Sequence, residues 1–465
     1  METIIQQFLI QLCGSWMKIL NEHGLHDIDA VSSALMKVNN TTTLELLNSL
    51  ISKLDGSLLD AREVRKELGL KVKERERPRE YMTVLGWLKF NRSYYFDEIS
   101  NKYTYPIDMI AGISGYERIG PVVGAALVNS AIQMSMRSSS KNVTGGDISA
   151  QSVCNKVRCV GVLEKELPSI RREIDELHIF ADEDHVSLQN GKSKDVPLIS
   201  ICEGIKKVGK NRHATVNTVH FTSDISDTDT LWKTVYAYAS KAYDLEKIKK
   251  ICIHGDGGSW IKKGCDEFSS ASFFLDGYHL HKRLLPFLSP ETSECVNELL
   301  RTSRKDDFIT FANGFIAECK DITTKKTLRE NLKYITNQWD GIVNRYSEGA
   351  VGSCTEAMIS HVLSERLSRD PMGWSTEGLN AMAGLRVYMK NGGVVTREHF
   401  RRSGEERQTS QLSKYADEMM KSFLDFQIDQ SIFEHRSSSQ GKITPIGIIM
   451  KSLGAVKTSP DHCKN

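Results

Sequence analysis

Three acids stand out for where they sit: Asp182, Asp256 and Glu356, separated by 74 and then 100 residues. Asp182 closes the apolar run Leu177–Ala181 in ELHIFADEDH, with Glu183 and Asp184 beside it as competitors for the same role. Asp256 ends KIKKICIHGD and is followed by two glycines and a helical pattern. Glu356 lies in GSCTEAM, with Glu365 and Glu377 as later alternatives. No lysine or arginine adjoins any of the three. Such carboxylates suit a hard, oxygen-seeking cation, Mg²⁺ or Mn²⁺. Two such ions about 3.5–4 Å apart clasp a phosphodiester, one activating a water or 3′-hydroxyl and one stabilising the leaving oxygen. Each acid also has a plain reading. Asp182 is then an exposed turn acid. Asp256 is a turn residue, because Asp-Gly favours turns. Ser353-x-x-Glu356 spells a capping box, in which the glutamate serves only its own helix.

Weaker positions surround the acids. DGYHLHK sets Asp276, His279, His281 and Lys282 just past a strand-like run. The two histidines are two apart with no cysteine nearby, which does not suit zinc. His279 is instead expected to position DNA or a catalytic acid, or to be a satisfied structural histidine. Lys282, Arg283, Arg366 and Arg369 are candidate phosphate contacts, and a solvated charged face explains them equally. Trp374 can stack on an unpaired base or fill a core.

The acids need elements to bring them together. ELHIFADEDHVSLQ, VPLISICEG and HATVNTVHFT read as three consecutive strands of an antiparallel meander. A helix capped by Asp227 or Asp229 follows, then a strand ending at Asp256, a helix, and a strand ending at Asp276. This β-β-β-α-β-α-β order is that of a ribonuclease-H-like fold, in which the first and fourth strands are neighbours. Acids ending those strands meet at one sheet edge, and a late helix carrying Glu356 completes the cluster. That helix is expected from Ser353 to about Arg369, ended by Pro371.

The rest of the chain reads as support. Leu44, Leu47, Ile51, Leu54 and Leu58 recur at helical spacing. Lys66–Glu80 is dense in charges of both signs and reads as a solvated connector, or as a contact to DNA backbone. Thr83–Leu88 and Lys89–Phe96 alternate as strands, extended by Tyr103 and Tyr105. Gly120–Met136 is helical, and RSSSKNVTGGD (Arg137–Asp147) reads as a flexible loop. Ser149 then caps a short helix bearing Asn155, Lys156 and Arg158, which suggests a helix-turn-helix that reads DNA. The boundaries expected are a helical region 1–75, a small β unit with the helix-turn-helix over 76–170, the first part of the core over 171–284, a strand-free helical insertion over 285–348, the end of the core over 349–400, and a tail over 401–465 that is polar and loose after Ser437. The fold class is α/β, or α+β overall.

Composition narrows the function. The 465 residues include 61 Lys+Arg against 59 Asp+Glu, a net charge of +2, with 40% apolar residues. This is a globular balance without a global positive field, so a nucleic-acid partner must be held by local patches. The ten cysteines form no CxxC pair, and Cys154 and Cys159 have no partner pair at zinc-finger spacing. They read as reduced thiols of a cytoplasmic protein. The apolar N-terminus is interrupted by Gln11, Gly14 and Lys18 and reads as an amphipathic helix. No uninterrupted run is long enough to span a membrane.

Several segments carry a family resemblance. FADEDHVSLQ, IHGDGGSWIKKG, FFLDGYHLHKRL and GSCTEAMISHVLSERLSRDPMGWSTEGLNAMAGLRVY resemble bacterial insertion-sequence transposases of the ISLre type, in the wider Mutator-like DDE group. TVLGWLKFNRSYYFDE and YTYPIDMIAGISGYERIG are similar to that family's N-terminal half. The resemblance covers roughly residues 80–395. It implies that Asp182, Asp256 and Glu356 are the DDE acids, that two Mg²⁺ or Mn²⁺ ions are bound, and that residues of about 285–348 split the core. It also implies terminal inverted repeats and target DNA as partners, at least a dimer at work on DNA, and a location at the bacterial nucleoid. The competing expectations are a catalytically inactive or domesticated DNA-binding protein of the same fold, and a carboxylate-pair hydrolase of sugars.

Overall fold

A computed structural model describes residues 4–424, apart from 25, 162, 164–166, 211, 349, 371 and 401–409. The chain divides into two compact units, Met1–Gly124 with Arg401–Asn465, and Ala125–Phe400. The tail expected to be loose after Ser437 lies outside the described residues.

The first unit begins with helices α1 (Ile4–His23), α2 (Ile28–Asp60) and α3 (Arg62–Glu67). Asp27 caps α2 by accepting from the Ala30 amide at 3.0 Å. The charge-dense stretch is not a connector. Most of it is strand β1 (Leu70–Thr83), paired antiparallel with β2 (Gly86–Asp97), which pairs in turn with β3 (Lys102–Thr104). Its charged side chains find partners on β2, oppositely charged or aromatic. The Glu80 carboxylate lies 3.4 Å from Lys89 Nζ, and the Arg77 guanidinium sits 4.8 Å over the Tyr94 ring. The hairpin turn falls at Val84 and Leu85, inside a run read as strand. Leu54 of α2 meets Leu88, Phe90, Ile107 of α4 (Pro106–Ile110) and Ala416 in one core. Residues 410–424, placed by the sequence in a tail, are helical and pack on α2 and α4.

Helix α5 (Pro121–Ala131), which belongs to the second unit from Ala125 on, leads to α6 (Met136–Thr144) and α7 (Ala150–Val160). The serine-rich segment expected as a loop is therefore a helix. Ser135 caps it, and its buried serines find carbonyl acceptors: Ser139 Oγ donates to Leu127 O at 2.7 Å, and Ser140 Oγ to Ile148 O. Gly145, in the left-handed region at φ 65°, ends α6. Ser149 caps α7 as expected. The expected helix, loop and helix are thus three helices, with α6 and α7 joined by the short link 145–149.

A five-stranded sheet follows, built from β4 (Glu176–Ser187), β5 (Ser193–Cys202), β8 (Val219–Thr222), β9 (Lys250–Gly255) and β10 (Ala271–Leu275). The run read as one strand from His213 to Thr222 is broken at Asn217, which has φ 50°. Its first part, β7 (Arg212–Thr215), makes a separate hairpin with β6 (Ile205–Gly209). The sheet order is β10-β9-β4-β5-β8, with β4, β5 and β8 antiparallel and β9 and β10 parallel to β4. The first and fourth strands of the core are thus neighbours, as the strand order required. One face packs Leu177, Ile179, Ile201 and Ile253 against Trp232 and Val235 of α8 (Thr228–Ala242) and Ile261 of α9 (Ser259–Lys262). Each such buried side chain contributes about 1.5–3 kcal/mol. The short α10 (Gly264–Glu267) and α11 (Gly277–Leu284) flank β10 in sequence.

The expected insertion is helical: α12 (Ser293–Arg301), α13 (Lys305–Glu318), α14 (Ile322–Asn337) and α15 (Trp339–Arg345) close their own core around Phe287, Phe308 and Trp339. Gly341 lets α15 lie directly on Phe273 of β10, and Asn344 Nδ2 donates to Phe273 O at 2.8 Å. The glutamate segment is α16 (Thr355–Ile359), a π-helical turn (Ser360–Ser364) and α17 (Glu365–Leu367). It rests on β4, and α18 (Thr376–Lys390) packs on β8, α7 and the π turn. Among the described residues, no helix is long and apolar enough to cross a membrane.

Candidate active site

Residues Phe180 of β4 and His254 of β9 are register partners, and each precedes its strand's acid by two. Asp182 and Asp256 therefore stand at the same level of two adjacent parallel strands, but only Asp256 follows the end of its strand: the carboxylate-rich run expected to end β4 at Asp182 continues it to Ser187, because it pairs with β5 through Ser193. Asp182 is 7% exposed overall. Asp256 anchors the turn after β9, where its Oδ1 accepts from the Gly258 amide at 2.7 Å. The insertion holds this turn from outside. Tyr334 donates its hydroxyl to the Asp256 carbonyl, and Gln338 Nε2 donates to Gly257 O at 3.2 Å. Gly257 must be glycine twice over: its φ is +86°, and a Cβ would sit 2.4 Å from Gln338 Cδ.

Glu356 does not close a capping box. The Ser353 hydroxyl accepts from the Thr355 amide at 3.3 Å, while the glutamate reaches His279, its Oε1 3.2 Å from Nε2. The same Nε2 lies 3.9 Å from Asp182 Oδ2 and satisfies hydrogen-bond geometry with neither. Asp182, His279 and Glu356 each place a ligand atom within 4.8 Å of the others. Asp256 is outside this closest group, and its charge reaches His279 and Glu183.

The electrostatics follow from carboxylates crowded at partial burial. Asp182, facing His279 at 3.9 Å, raises that imidazole above its ordinary range against the opposing effect of burial; Asp256 and Asp276 add to it. At 3.9 Å this attraction is one of charge more than of hydrogen bonding. Burial, then the Asp182 charge, raises Glu356, and His279 opposes them. Burial likewise raises Glu183, which accepts from Trp260 Nε1 at 2.9 Å on the other face of the sheet. Asp276 is a cap: its Oδ1 accepts from the Tyr278 and His279 amides at 2.8 and 3.3 Å and so aims α11.

Asp184, the other competitor, is a tether. It is buried and accepts from the Ser364 and Ser368 hydroxyls, both at 2.9 Å, tying the π turn to the strand of Asp182. Arg386 holds the same turn by donating to Val362 O at 2.8 Å and His361 O at 2.9 Å. Glu365 pairs with Arg386 at 3.0 Å, so it is not the third site acid.

The basic residues divide. Lys282 and Arg369 are exposed. Arg283 donates to Asn331 at 3.1 Å and lies over Tyr334. Arg158 donates to Ser375 Oγ at 2.9 Å on the wall of a cavity of about 410 Å³ that Gln151, Gln189 and Trp374 also line. Lys156 sits over the Phe400 ring. Arg366 contradicts its expected phosphate contact: it is 5% exposed, donates Nε to Ala131 O at 2.9 Å, and stacks on Trp374. Trp374 is itself buried and bonded to Leu367 O at 2.9 Å. The sequence missed Arg386, Tyr334 and Gln338. Tyr334 in the last turn of α14 and Gln338 just after it offered a signal only once that helix end was known to meet the Asp256 turn.

The chain belongs to UPF0236, an uncharacterised protein family whose model matches residues 21–403. It is similar to three UPF0236 proteins of Caldanaerobacter subterraneus subsp. tengcongensis. One is 32% identical over 465 residues, covering 97% of each chain, and its name joins eleven locus designations. Another is 33% identical over 419 residues, with 88% and 89% coverage. A third is 33% identical over 392 residues, with 82% and 83% coverage, and its name joins four loci. Many copies in one bacterium are consistent with a mobile-element family.

Proposed function

We propose that this protein is the DNA transposase of an insertion sequence, with a ribonuclease-H-like core that cuts element ends and joins them to target DNA. One observation carries the reading: Asp182 and Glu356, 174 residues apart, converge on one point beside the strand end that presents Asp256. The multi-copy relatives and the resemblance to ISLre-type transposases support it.

The donor set fits hard divalent cations. It is made of carboxylate oxygens, and His279 Nε2 among them has no hydrogen-bond partner. Asp182, Asp256 and Glu356 would hold Mg²⁺ or Mn²⁺, two ions in all, which when bound supply Lewis acidity at the scissile phosphate. The protein's own part is positional. Asp276 fixes the first turn of α11 and so places His279, which can hold a proton at Nε2 between two carboxylates. Tyr334 and Gln338 fix the Asp256 turn. Asp184 and Arg386 fix the helix of Glu356. Lys282 and Arg369 offer exposed charge to DNA backbone, and the helix pair of α6 and α7 would contact the terminal repeats. Two ends per event call for at least a dimer on DNA.

The test is cleavage of DNA carrying the element's ends by the purified protein. Nicking that requires Mg²⁺ or Mn²⁺, and that Asp256→Ala abolishes without loss of end binding, is the expected result. Cleavage retained by that variant rejects the assignment. End binding without cleavage by the wild type, at any divalent ion, would favour an inactive DNA-binding protein of the same fold.

A further inference from the structure

Deeper in the same sheet lies a cluster of different chemistry. His178 of β4 is the register partner of Cys252 of β9, and His254 follows on the same face. The three are 1%, 1% and 2% exposed. His178 Nδ1 lies 3.2 Å from His254 Nε2. One donor atom from each of the three lies within 4.8 Å of the other two. Two imidazoles bonded at about 2.0–2.1 Å to one tetrahedral ion hold their nitrogens about 3.3–3.4 Å apart. The rings already stand at that spacing. Glu176 Oε2 lies 3.3 Å from His178 Nε2. A carboxylate in that place fixes the histidine tautomer and aims the other ring nitrogen at His254, with which it now shares a hydrogen bond that an ion would replace.

We infer that His178, Cys252 and His254 form a second metal site, which takes a borderline-soft divalent ion of the zinc class inside the sheet. Sulfur and imidazole donors select such an ion over the magnesium class that oxygen donors prefer. Binding of an ion displaces the Cys252 thiol proton to solvent. The thiolate then offsets one charge of the ion, against the nearby charges of Lys250 and Arg345. Nothing is oxidised or reduced. Three protein donors leave a fourth position for a small ligand. The site would staple β4 to β9 four residues before Asp182 and two before Asp256, which fixes the parts of the two strands that present those acids. It does not depend on the proposed reaction.

The test uses the full chain, stripped of metal and titrated with Co²⁺. One equivalent should give a thiolate-to-cobalt charge-transfer band with the visible bands of a tetrahedral ion. Cys252→Ser should abolish the charge-transfer band, whereas Cys202→Ser and Asp182→Asn should retain it. Glu176→Gln should weaken binding about 10–100-fold, the usual cost of losing an outer-shell partner. A band that survives Cys252→Ser, or no stoichiometric binding by the folded wild type, overturns the site. Should Cys252→Ser fail to fold, zinc-edge absorption of the wild type decides: one sulfur and two nitrogens support the site, and oxygen ligation alone overturns it.

Discussion

Two histidine-bearing clusters share one sheet and differ in almost every physical respect. Around His279 the donors are mainly carboxylate oxygens, half open to solvent, with the Glu356 side chain 48% exposed. Around His178 and His254 they are nitrogen and sulfur, buried between strands. The first cluster is assembled from β4, α11 and α16, far apart in sequence, and depends on outside tethers. The second comes from two adjacent strands whose backbone ladder fixes it. An open cluster of hard donors suits ions that exchange and share ligands with a substrate. A closed cluster of soft donors suits an ion that stays. Burial and donor type together separate chemistry from architecture here.

The largest expected effect lies in the open cluster. Asp182→Asn or Asp256→Ala should reduce metal-dependent DNA cleavage by more than about 100-fold, the upper end of what even outer-shell changes cost. Circular dichroism and thermal midpoint should stay near wild type. A variant that loses its fold instead would break the contrast between chemistry and architecture. Chelation gives the complementary result: EDTA should remove cleavage at once with little change in thermal midpoint. Loss of an ion from the buried cluster should lower the midpoint, because an ion bound only to the folded state stabilises it.

How much of this was legible follows the same division. The strand order and Asp256 at its strand end could be read because apolar runs stop abruptly at carboxylates; that β4 runs on past Asp182 to Ser187 could not, because it depends on pairing with β5. The helical insertion could be read because it lacks alternation. The tethers could not. Arg386 and Arg366 look like surface charge until backbone carbonyls in the π turn and at the end of α5 are found to accept from them. The serines of α6 look like a loop until Leu127 and Ile148 supply acceptors. Lys66–Glu80 looks like a connector because its pairing depends on β2, and cross-strand matching is invisible along the chain. His279 could be flagged as polar and near a strand end, but not placed between two acids, since that needs the cap of Asp276 and the arrival of α16.

The tethers can be weighed next. Arg386→Met leaves the carbonyls of His361 and Val362 without their donor and should cost on the order of 3 kcal/mol in chemical denaturation, given about 1–3 kcal/mol for a buried group left unpaired. A cost below about 1 kcal/mol would mean that the π turn stands without Arg386. Gly257→Ala should cost about 1–3 kcal/mol from its left-handed backbone alone. It should also weaken Mn²⁺ binding at the open cluster, because the new methyl group displaces Gln338. Unchanged Mn²⁺ affinity would show that the insertion does not position Asp256.

The smallest effect tests a tie outside both clusters. Lys194 of β5 meets Asp224, and Asn380 of α18 donates to the same carboxylate at 3.1 Å, so this triad pins α18 to the sheet. The hydrogen bond from Lys194, with help from Ser226 and Asn380, holds Asp224 well below the usual carboxylate range. A depressed carboxylate contributes its stability in full above its unfolded value, about 3.9. It loses that contribution as pH falls from there toward the folded value. Wild type should therefore lose more thermal stability than Asp224→Asn between pH 5 and pH 3, and the two should run parallel between pH 5 and pH 8. The difference should be small, because the Asp224 side chain is 32% exposed and solvent screens the pair. Metal should not alter it, since neither cluster includes these residues. Parallel curves across the whole range would show that Asn380, and not the ion pair, anchors α18, which would leave the cover over the sheet insensitive to acid.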